Sequence, residues 1–214
     1  LFDPLRQLAE RFTQIQGGLT AIERIGELME QPLEIIESPQ AVPLQGSISG
    51  EIEFENVSFS YRPDEPILRN LSFRIAPGEH VALVGPTGSG KTTVIRLLCR
   101  LYEPQQGRIL LDGQDIRTIP IADLRRQLGV VLQDTFLFSG NVSDNLRLDA
   151  EISDLELTRI CRDLGLLGLL KRLPDGLQTQ LRERGGNLSS GERQLLAVAR
   201  VAIRHPSVLV MDEA

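Results

Sequence analysis

The sequence predicts an α/β protein with a mainly parallel sheet, an antiparallel β part and a helix that precedes both. From Glu51 onward, apolar runs of strand length alternate with segments whose apolar residues repeat at helical spacing. The first strands of this region are joined by links of turn length, which favours antiparallel pairing there. Before residue 31, apolar residues follow one stripe of a single long helix.

The composition is that of an ordinary soluble domain, because 41% of the 214 residues are hydrophobic, enough to form a core. The net charge of −6 and the lack of a polybasic run argue against a dedicated nucleic-acid surface. No apolar run approaches the length of about eighteen residues that indicates a membrane span, and the N-terminus lacks a signal-peptide pattern. Cys99 and Cys161 stand singly in apolar surroundings, which predicts buried thiols in a reducing compartment.

A helix is predicted over residues 1–30 and a linker over residues 31–50. The apolar stripe of the helix comprises Leu5, Leu8, Phe12, Ile15, Leu19 and Ile22. The stripe fits packing on the helix's own domain and packing on a partner helix equally well. The linker is rich in proline, serine and glycine without a helical period.

Both ends of the chain look cut. It opens with LFDPLRQ and closes with VLVMDEA, an apolar run that ends on two carboxylates. Such an apolar strand is expected at the centre of a sheet with a neighbour on each side. We therefore expect more protein to follow Ala214.

The remaining elements are predicted from periodicity and turn residues, with the domain extending over residues 51–214. The predicted strands are 51–61, 68–75, 80–85, 107–113, 129–134 and 207–213. The predicted helices are 92–102, 153–173 and 191–203, with Ser153 as the N-cap of the second.

The stretch GPTGSGKT, from Gly85 to Thr92, fits G-x-x-x-x-G-K-[ST] and lies between a predicted strand and a predicted helix. Glycines allow successive N–H groups to point inward around phosphate oxygens, and the helix adds its positive end. Lys91 would place an ammonium between the β- and γ-phosphates, and Thr92 would offer its hydroxyl to magnesium. The only other lysine is Lys171, so a lysine here is a specific choice in an arginine-rich chain. A nucleoside triphosphate site is predicted, against the alternative of a glycine-rich turn with a solvated lysine.

Three further stretches add to this site. The strand SVLVMDE ends on Asp212 and Glu213, which suit a magnesium ligand and a proton acceptor, with simply solvated carboxylates as the less favoured alternative. Gln133 ends the strand GVVLQD and could reach magnesium or the attacking water, or could be an ordinary surface glutamine. GGNLSSGERQ precedes a long helix and forms either a second anion-binding helix start or a routine capping box.

In this order, GPTGSGKT, VVLQD, LSSGERQ and VLVMDE resemble the nucleotide-binding domain of an ATP-binding cassette (ABC) transporter, over about residues 51–214. LSSGERQ is similar to the family's LSGGQ signature, and LFSGNVSDNL and LRERGGNLSSGERQ look like exporters in particular. The resemblance implies a P-loop NTPase (ABC ATPase) fold with a helical subdomain. It also implies that residues 1–30 are the cytoplasmic end of the last transmembrane helix.

The resemblance assigns a role to each matching residue. Thr92, Gln133 and Asp212 would bind Mg²⁺, and Glu213 would act as general base, with Gln133 as the second catalytic residue. The residues expected to bind ATP are Tyr61, Gly85, Pro86, Thr87, Gly88, Ser89, Gly90, Lys91, Thr92, Thr93, Ser189, Ser190 and Gly191. Tyr61 would stack on adenine.

The implied active species is a dimer of cassettes, as a homodimer or a heterodimer. Ser189, Ser190 and Gly191 would close over the γ-phosphate of ATP bound to the second cassette. Glu183 matches a segment that contacts the transmembrane domains of exporters. These partners place the cassette at the cytoplasmic face of the plasma or inner membrane, and no nucleic acid is expected as a partner.

Two features depart from the family pattern. Ser190 stands for the usual glycine and Glu192 for the usual glutamine, and we expect the Glu192 carboxylate to point away from the phosphate. The switch histidine of the family is not matched, since His80 and His205 both precede Glu213. The sequence leaves open whether this piece alone hydrolyses ATP.

The leading hypothesis is thus an ATPase that drives transmembrane transport by an exporter. One alternative is a soluble ABC-type ATPase that acts on nucleic acid or on the ribosome with the same dimer. The other is a P-loop kinase, which the signature stretch disfavours.

Overall fold

The computed structural model describes residues 3–31, 35–133, 135–148 and 150–212. The chain divides into two compact units, Leu1–Ile36 and Glu37–Ala214. The first unit contains helix α1, Asp3–Met29. The helices of the second unit are α2 Lys91–Leu98, α3 Ile121–Gln127, α4 Val142–Arg147, α5 Asp154–Asp163, α6 Leu167–Arg172 and α7 Ser190–Ala202. Its strands are β1 Ile52–Ser60, β2 Pro66–Ile75, β3 Gln106–Leu111, β4 Gln114–Asp115, β5 Leu128–Val131, β6 Gly140–Asn141, β7 Gln180–Leu181 and β8 Val208–Met211.

Helix α1 carries the predicted apolar stripe on its surface. Phe12, Ile15, Leu19 and Ile22 are each at least 60% exposed. Leu5 and Leu8 belong to the same predicted stripe, but their side chains lie outside the part that the structure describes. Within the described residues, no helix has the length and apolar character needed to cross a bilayer.

The first part of the second unit is a four-stranded antiparallel sheet in the order β2-β1-β3-β4. The period-two pattern of β1 buries Ile52 and Phe54 on one face, and a shift in the pairing register follows before Val57, which is also buried. Phe54 stacks on Phe73 of β2 with ring centroids 4.6 Å apart. One side of α2 covers this face through its buried apolar residues, which include Leu97. The predicted antiparallel β part is therefore confirmed.

Residues 37–50 have no helix or strand, yet they contact the sheet region. Val42 N–H donates to the carbonyl of Thr118 at 2.8 Å, and Leu44 and Ile48 pack against the core around β1. The carboxylate of Asp112 accepts hydrogen bonds from Ser49 Oγ at 2.8 Å and from Glu51 N at 2.7 Å. This part of the chain is thus fixed to the turn between β3 and β4.

That turn has the sequence Asp-Gly, which is typical of a tight hairpin. Asp112 and Gly113 have φ values of +48° and +78°, as a two-residue type I′ turn requires. Burial opposes ionisation of Asp112, but hydrogen bonds from Ser49 and Glu51 outweigh burial and hold the pKa of this carboxyl below its ordinary value. The charged form of Asp112 therefore stabilises the folded chain.

The parallel part is smaller than the sequence predicts. It consists of β5 and β8, which pair in register from Leu128 opposite Val208 to Val131 opposite Met211. The predicted strand 80–85 is wrong for this structure, since these residues are irregular and exposed. A strand needs hydrogen-bonded neighbours, and within the described residues none pairs with this segment. Strand β8 likewise pairs on one side there, and not on both as expected.

Two predicted helices are shorter or broken. Helix α2 ends at Leu98 and not at residue 102, because Arg100 takes a left-handed conformation with φ +48°. The Arg100 side chain is 2% exposed and donates to the carbonyl oxygens of Ile116 and Ile119 at 3.4 and 3.2 Å. The predicted helix 153–173 is split into α5 and α6, with Gly165 at φ +73° between them.

Helices α4 to α7 surround a second core, which includes Leu137, Leu146, Leu157 and Leu196. Arg200 of α7 crosses the edge of this core. Its Nε donates to the carbonyl of Asn145, and its Nη1 donates to the carbonyl of Phe136, both at 2.9 Å. Burial, followed by the charge of Arg204, lowers the pKa of Arg200. Arg200 therefore links α7 to α4 and to the loop that follows β5.

We expect D112A to lower the free energy of unfolding of the chain by about 1–2 kcal/mol at neutral pH, because Glu51 N–H and both the N–H and the hydroxyl of Ser49 lose an ionised acceptor. D112N, which keeps the preference for a left-handed turn, should lose less. Urea denaturation measures both values. The difference between parent and D112N should shrink as the pH falls through the lowered pKa of Asp112, and a pH-independent difference would contradict this account.

R200M should lower the free energy of unfolding by about 2 kcal/mol or more, because the carbonyls of Asn145 and Phe136 lose their donor in a half-buried place. R159M, at an exposed position of α5, is the control and should change it by less than about 0.5 kcal/mol. Denaturant melts of the two variants test this. Equal effects of both substitutions would show that Arg200 acts only as a surface charge.

Candidate functional site

The glycine loop closes onto the start of α2. Gly90 is the N-cap residue of α2, with φ +92°, and a Cβ there would lie 2.8 Å from Leu68 Cδ2 of β2. Glycine is therefore needed twice at this position, for its backbone angle and for its close packing on the sheet. The N-terminus of α2 has no side-chain cap, so its first N–H groups remain suited to an external anion.

The ammonium of Lys91 lies over the same loop. Lys91 Nζ donates to the carbonyl oxygens of Gly85 at 2.7 Å and Pro86 at 3.0 Å. Ser89 N–H donates to the Pro86 carbonyl at 3.2 Å, which tightens the bend. The side chain of Lys91 is thus held across the loop and not extended into solvent. The predicted residues Gly85, Pro86, Thr87, Gly88 and Ser89 are all exposed.

The next two residues of α2 differ in their surroundings. Thr92 is exposed at the loop, as a metal-binding hydroxyl requires. Thr93 is 5% exposed, and its Oγ1 lies 3.2 Å from the hydroxyl of Tyr61. Tyr61 itself is 42% exposed, just beyond β1. The structure therefore brings Tyr61 to the same helix as the glycine loop.

Gln133 and Asp212 follow the ends of β5 and β8. Because these strands are parallel neighbours, their carboxyl ends lie at one edge of the sheet, where ligands bind in α/β folds. Asp212 N–H donates to the carbonyl of Val131 at 2.9 Å, so pairing continues to the predicted metal ligand. Gln133 is exposed. Glu213, the predicted base, lies outside the described residues.

The signature stretch starts α7. Ser189 is the N-cap residue and accepts from Glu192 N–H at 3.3 Å, while the Glu192 carboxylate accepts from Ser189 N–H at 2.9 Å. Glu192 also accepts from Arg172 of α6 at 3.0 Å. Ser190 and Gly191 are exposed. The second helix start is therefore closed by a capping box, unlike the open start of α2.

The carboxylate of Glu192 folds back onto its own helix. Hydrogen bonds from Ser189, with a smaller contribution from the charge of Arg172, hold the pKa of Glu192 below its ordinary value. Its negative charge is thus stabilised by the positive end of α7 and by the guanidinium of Arg172.

A cavity of about 790 Å³ lies between the loop after β5 and the start of α7. Its lining includes Gln133, Phe136, Glu183, Arg184, Ser190 and Gln194. Three residues with predicted roles, Gln133, Ser190 and Glu183, therefore line the same cavity.

Arg200, Arg172 and Arg96 were not singled out by the sequence analysis. Arg200 follows Leu196 by four residues and so shares the buried side of α7, which is a signal that the sequence does contain. Arg172 and Arg96 are exposed arginines whose partners come from other segments, and no local pattern indicates them.

The chain is similar to a known family, to curated proteins and to a solved structure. The family described as ABC transporter matches residues 68–214. The mitochondrial iron-sulfur clusters transporter ATM1 of Candida albicans is 43% identical, and the alignment covers 99% of this chain and 30% of that protein. A fatty acid ABC transporter ATP-binding/permease protein of Mycobacterium bovis is 40% identical over 99% of this chain and 33% of its own length. This chain thus spans about a third of these relatives.

A solved structure of a bacterial Atm1-family ABC exporter with ATP bound has a TM-score of 0.83 and 38% identity. The alignment covers 99% of the present chain and 37% of the exporter chain. The predicted P-loop NTPase fold and the resemblance to ABC exporters are confirmed. The family match over residues 68–214, with relatives that align along almost the whole sequence, shows that this chain belongs to the ABC transporter family.

Proposed function

We propose that residues 51–214 bind ATP with Mg²⁺ and hydrolyse it to drive transmembrane export by the complete protein. One observation carries the proposal: Lys91 Nζ lies over the carbonyls of Gly85 and Pro86, at the uncapped start of α2. Positive charge and free N–H groups are thus concentrated at one short bend. This is the arrangement that binds the triphosphate of a nucleotide in P-loop proteins.

The donor set suits magnesium. Thr92 offers a hydroxyl, Asp212 a carboxylate and Gln133 an amide oxygen, which are all hard oxygen donors. Magnesium prefers one or two carboxylates together with substrate phosphates, and the described residues contain no cluster of three acidic, histidine or cysteine side chains for a metal. These three residues would hold the ion, which would neutralise charge on the β- and γ-phosphates.

The hydrolytic step is assigned to the ends of β5 and β8. Glu213 follows Asp212, so it would accept a proton from the attacking water beside the metal ligand. Gln133 follows the neighbouring strand and would orient that water. The parallel pairing of the two strands supports a common location for these residues.

A second cassette is the proposed partner at the signature stretch. Ser189, Ser190 and Gly191 lie at the start of α7, where they would contact the γ-phosphate of ATP held by the other cassette. The pairing of Glu192 with Arg172 supports this role, since it limits the repulsion between a carboxylate and phosphate.

Transmembrane domains are the proposed partner at the cavity between Gln133 and Glu183. A cavity next to the proposed water-orienting glutamine would let a docked segment influence hydrolysis. Residues 1–30 would then lead from the last transmembrane helix through residues 31–50 into the cassette, at the cytoplasmic face of the plasma or inner membrane.

The named relatives support a transport role over action on nucleic acid or the ribosome. They carry different cargo by name, iron-sulfur clusters and a fatty acid, yet both align with almost all of this chain. The shared part therefore fits a common motor, with cargo selected elsewhere.

In the full-length protein, K91M should weaken Mg-dependent ATP affinity by about ten- to a hundredfold, because charge-assisted hydrogen bonds to phosphate are lost. K171M removes the only other lysine, which is exposed on α6, and should leave the affinity unchanged. Titration with a fluorescent ATP analogue measures both. Unchanged affinity in K91M would refute the proposed phosphate site.

E213Q should lower the ATP hydrolysis rate of the full-length protein by about 10²- to 10⁴-fold, as expected for loss of a general base. ATP affinity should stay within about twofold, since the amide keeps the size of the side chain. E151Q, at an exposed position before α5, is the control for a lost surface carboxylate. Phosphate release assays with each variant decide the matter, and parental turnover in E213Q would exclude Glu213 as the base.

A further inference from the structure

We infer that Arg96 is a positioning residue that fixes Tyr61 at the nucleotide site and thereby strengthens binding of the nucleotide's base. Arg96 Nη1 donates to the hydroxyl of Tyr61 at 3.2 Å, and its guanidinium carbon lies 5.9 Å from the ring centroid. One side chain therefore contacts Tyr61 through a hydrogen bond and through a cation–π interaction. The inference rests on the proposed function, in which Tyr61 stacks on adenine.

The Tyr61 hydroxyl has two partners on one side of α2. Its oxygen accepts from Arg96 and also lies 3.2 Å from Thr93 Oγ1, a pair in which either hydroxyl can donate. Thr93 and Arg96 are three residues apart and so are neighbours on the helix surface. Thr93 is 5% exposed, so its hydroxyl is fixed by packing and is a defined anchor.

Two aromatic residues also pack against the ring of Tyr61. The ring of Tyr61 lies 4.9 Å from that of Phe59 and 5.1 Å from that of Tyr102, each nearly perpendicular to it. Phe59 is 4% exposed and belongs to the core of the antiparallel sheet. Tyr61 is thus held between this core and α2, while 42% of it remains exposed for contact with a base.

This arrangement links the base site to the phosphate site. Lys91 and Thr92 begin the helix that carries Thr93 and Arg96, so the distance from Tyr61 to the glycine loop is set by less than two turns of helix. A ring already fixed at that distance loses less conformational entropy when a base stacks on it. Arg96 should therefore affect ligands that have a base and not ligands made of phosphate alone.

The test compares two ligands in the full-length protein, MgATP and inorganic tripolyphosphate with magnesium, both by competition with a fluorescent ATP analogue. R96M should weaken ATP binding by about two- to tenfold and leave tripolyphosphate binding unchanged. Y61F, which keeps the ring and removes the hydroxyl, should give a similar loss. The double variant R96M/Y61F should lose less than the product of the two single effects, because both remove the same hydrogen bond.

R96K should recover most of the affinity, since an ammonium can also donate to the hydroxyl and lie over the ring. R126M removes another exposed helical arginine, which pairs with Asp123 at 3.1 Å, and should have no effect on either ligand.

Three results would overturn the inference: unchanged ATP binding in R96M, equal losses for ATP and tripolyphosphate, or full multiplicativity in the double variant. The proposed function is tested separately by Y61A. If the parent binds ATP and Y61A does not weaken it, the adenine contact is wrong, and the role of Arg96 fails with it. If Y61A weakens ATP but R96M does not, only the positioning role of Arg96 is excluded.

Discussion

The left-handed backbone of Gly90 is the constraint on which the site depends. At φ +92° it turns the chain from the glycine loop into α2, and its missing Cβ lets the loop approach Leu68. The turn delivers Lys91 to the loop carbonyls and places Val94 and Leu97 in the core. Packing of the sheet and placement of charge are therefore consequences of one backbone conformation.

Arginines connect parts of the molecule that are distant in sequence. Arg100 follows the end of α2 and donates to the carbonyls of residues 116 and 119, Arg200 joins α7 to residues 136 and 145, and Arg172 pairs with Glu192. A planar guanidinium can donate in several directions, which suits it to carbonyl groups of separate segments. Arg100 and Arg200 thereby each connect segments around one core, and Arg172 contacts the start of α7.

Much of the local structure around the candidate site could be predicted from sequence because its signals are local. The glycine loop, the serine cap of α7 and the strands around β1 depend on neighbouring residues and on short periodicities. The prediction of a strand at 80–85 was wrong because strand formation depends on hydrogen-bonding partners far along the chain, which a local apolar run does not supply. Arg96 was missed for the same reason, since its partner Tyr61 lies 35 residues earlier. The break at Gly165 was visible as a glycine, but helical periodicity continued across it.

Because lysine is scarce in this chain, the amine of Lys91 marks the glycine loop for amine-selective chemistry. Side-chain amines occur only at Lys91 and Lys171, of which the first is half-buried against Gly85 and Pro86 and the second is exposed. Acylating reagents that consume primary amines thus have one protected target and one open target on these side chains. The ratio of acylation at Lys91 to acylation at Lys171 therefore measures how well the glycine loop shields the Lys91 amine, with Lys171 as the internal reference.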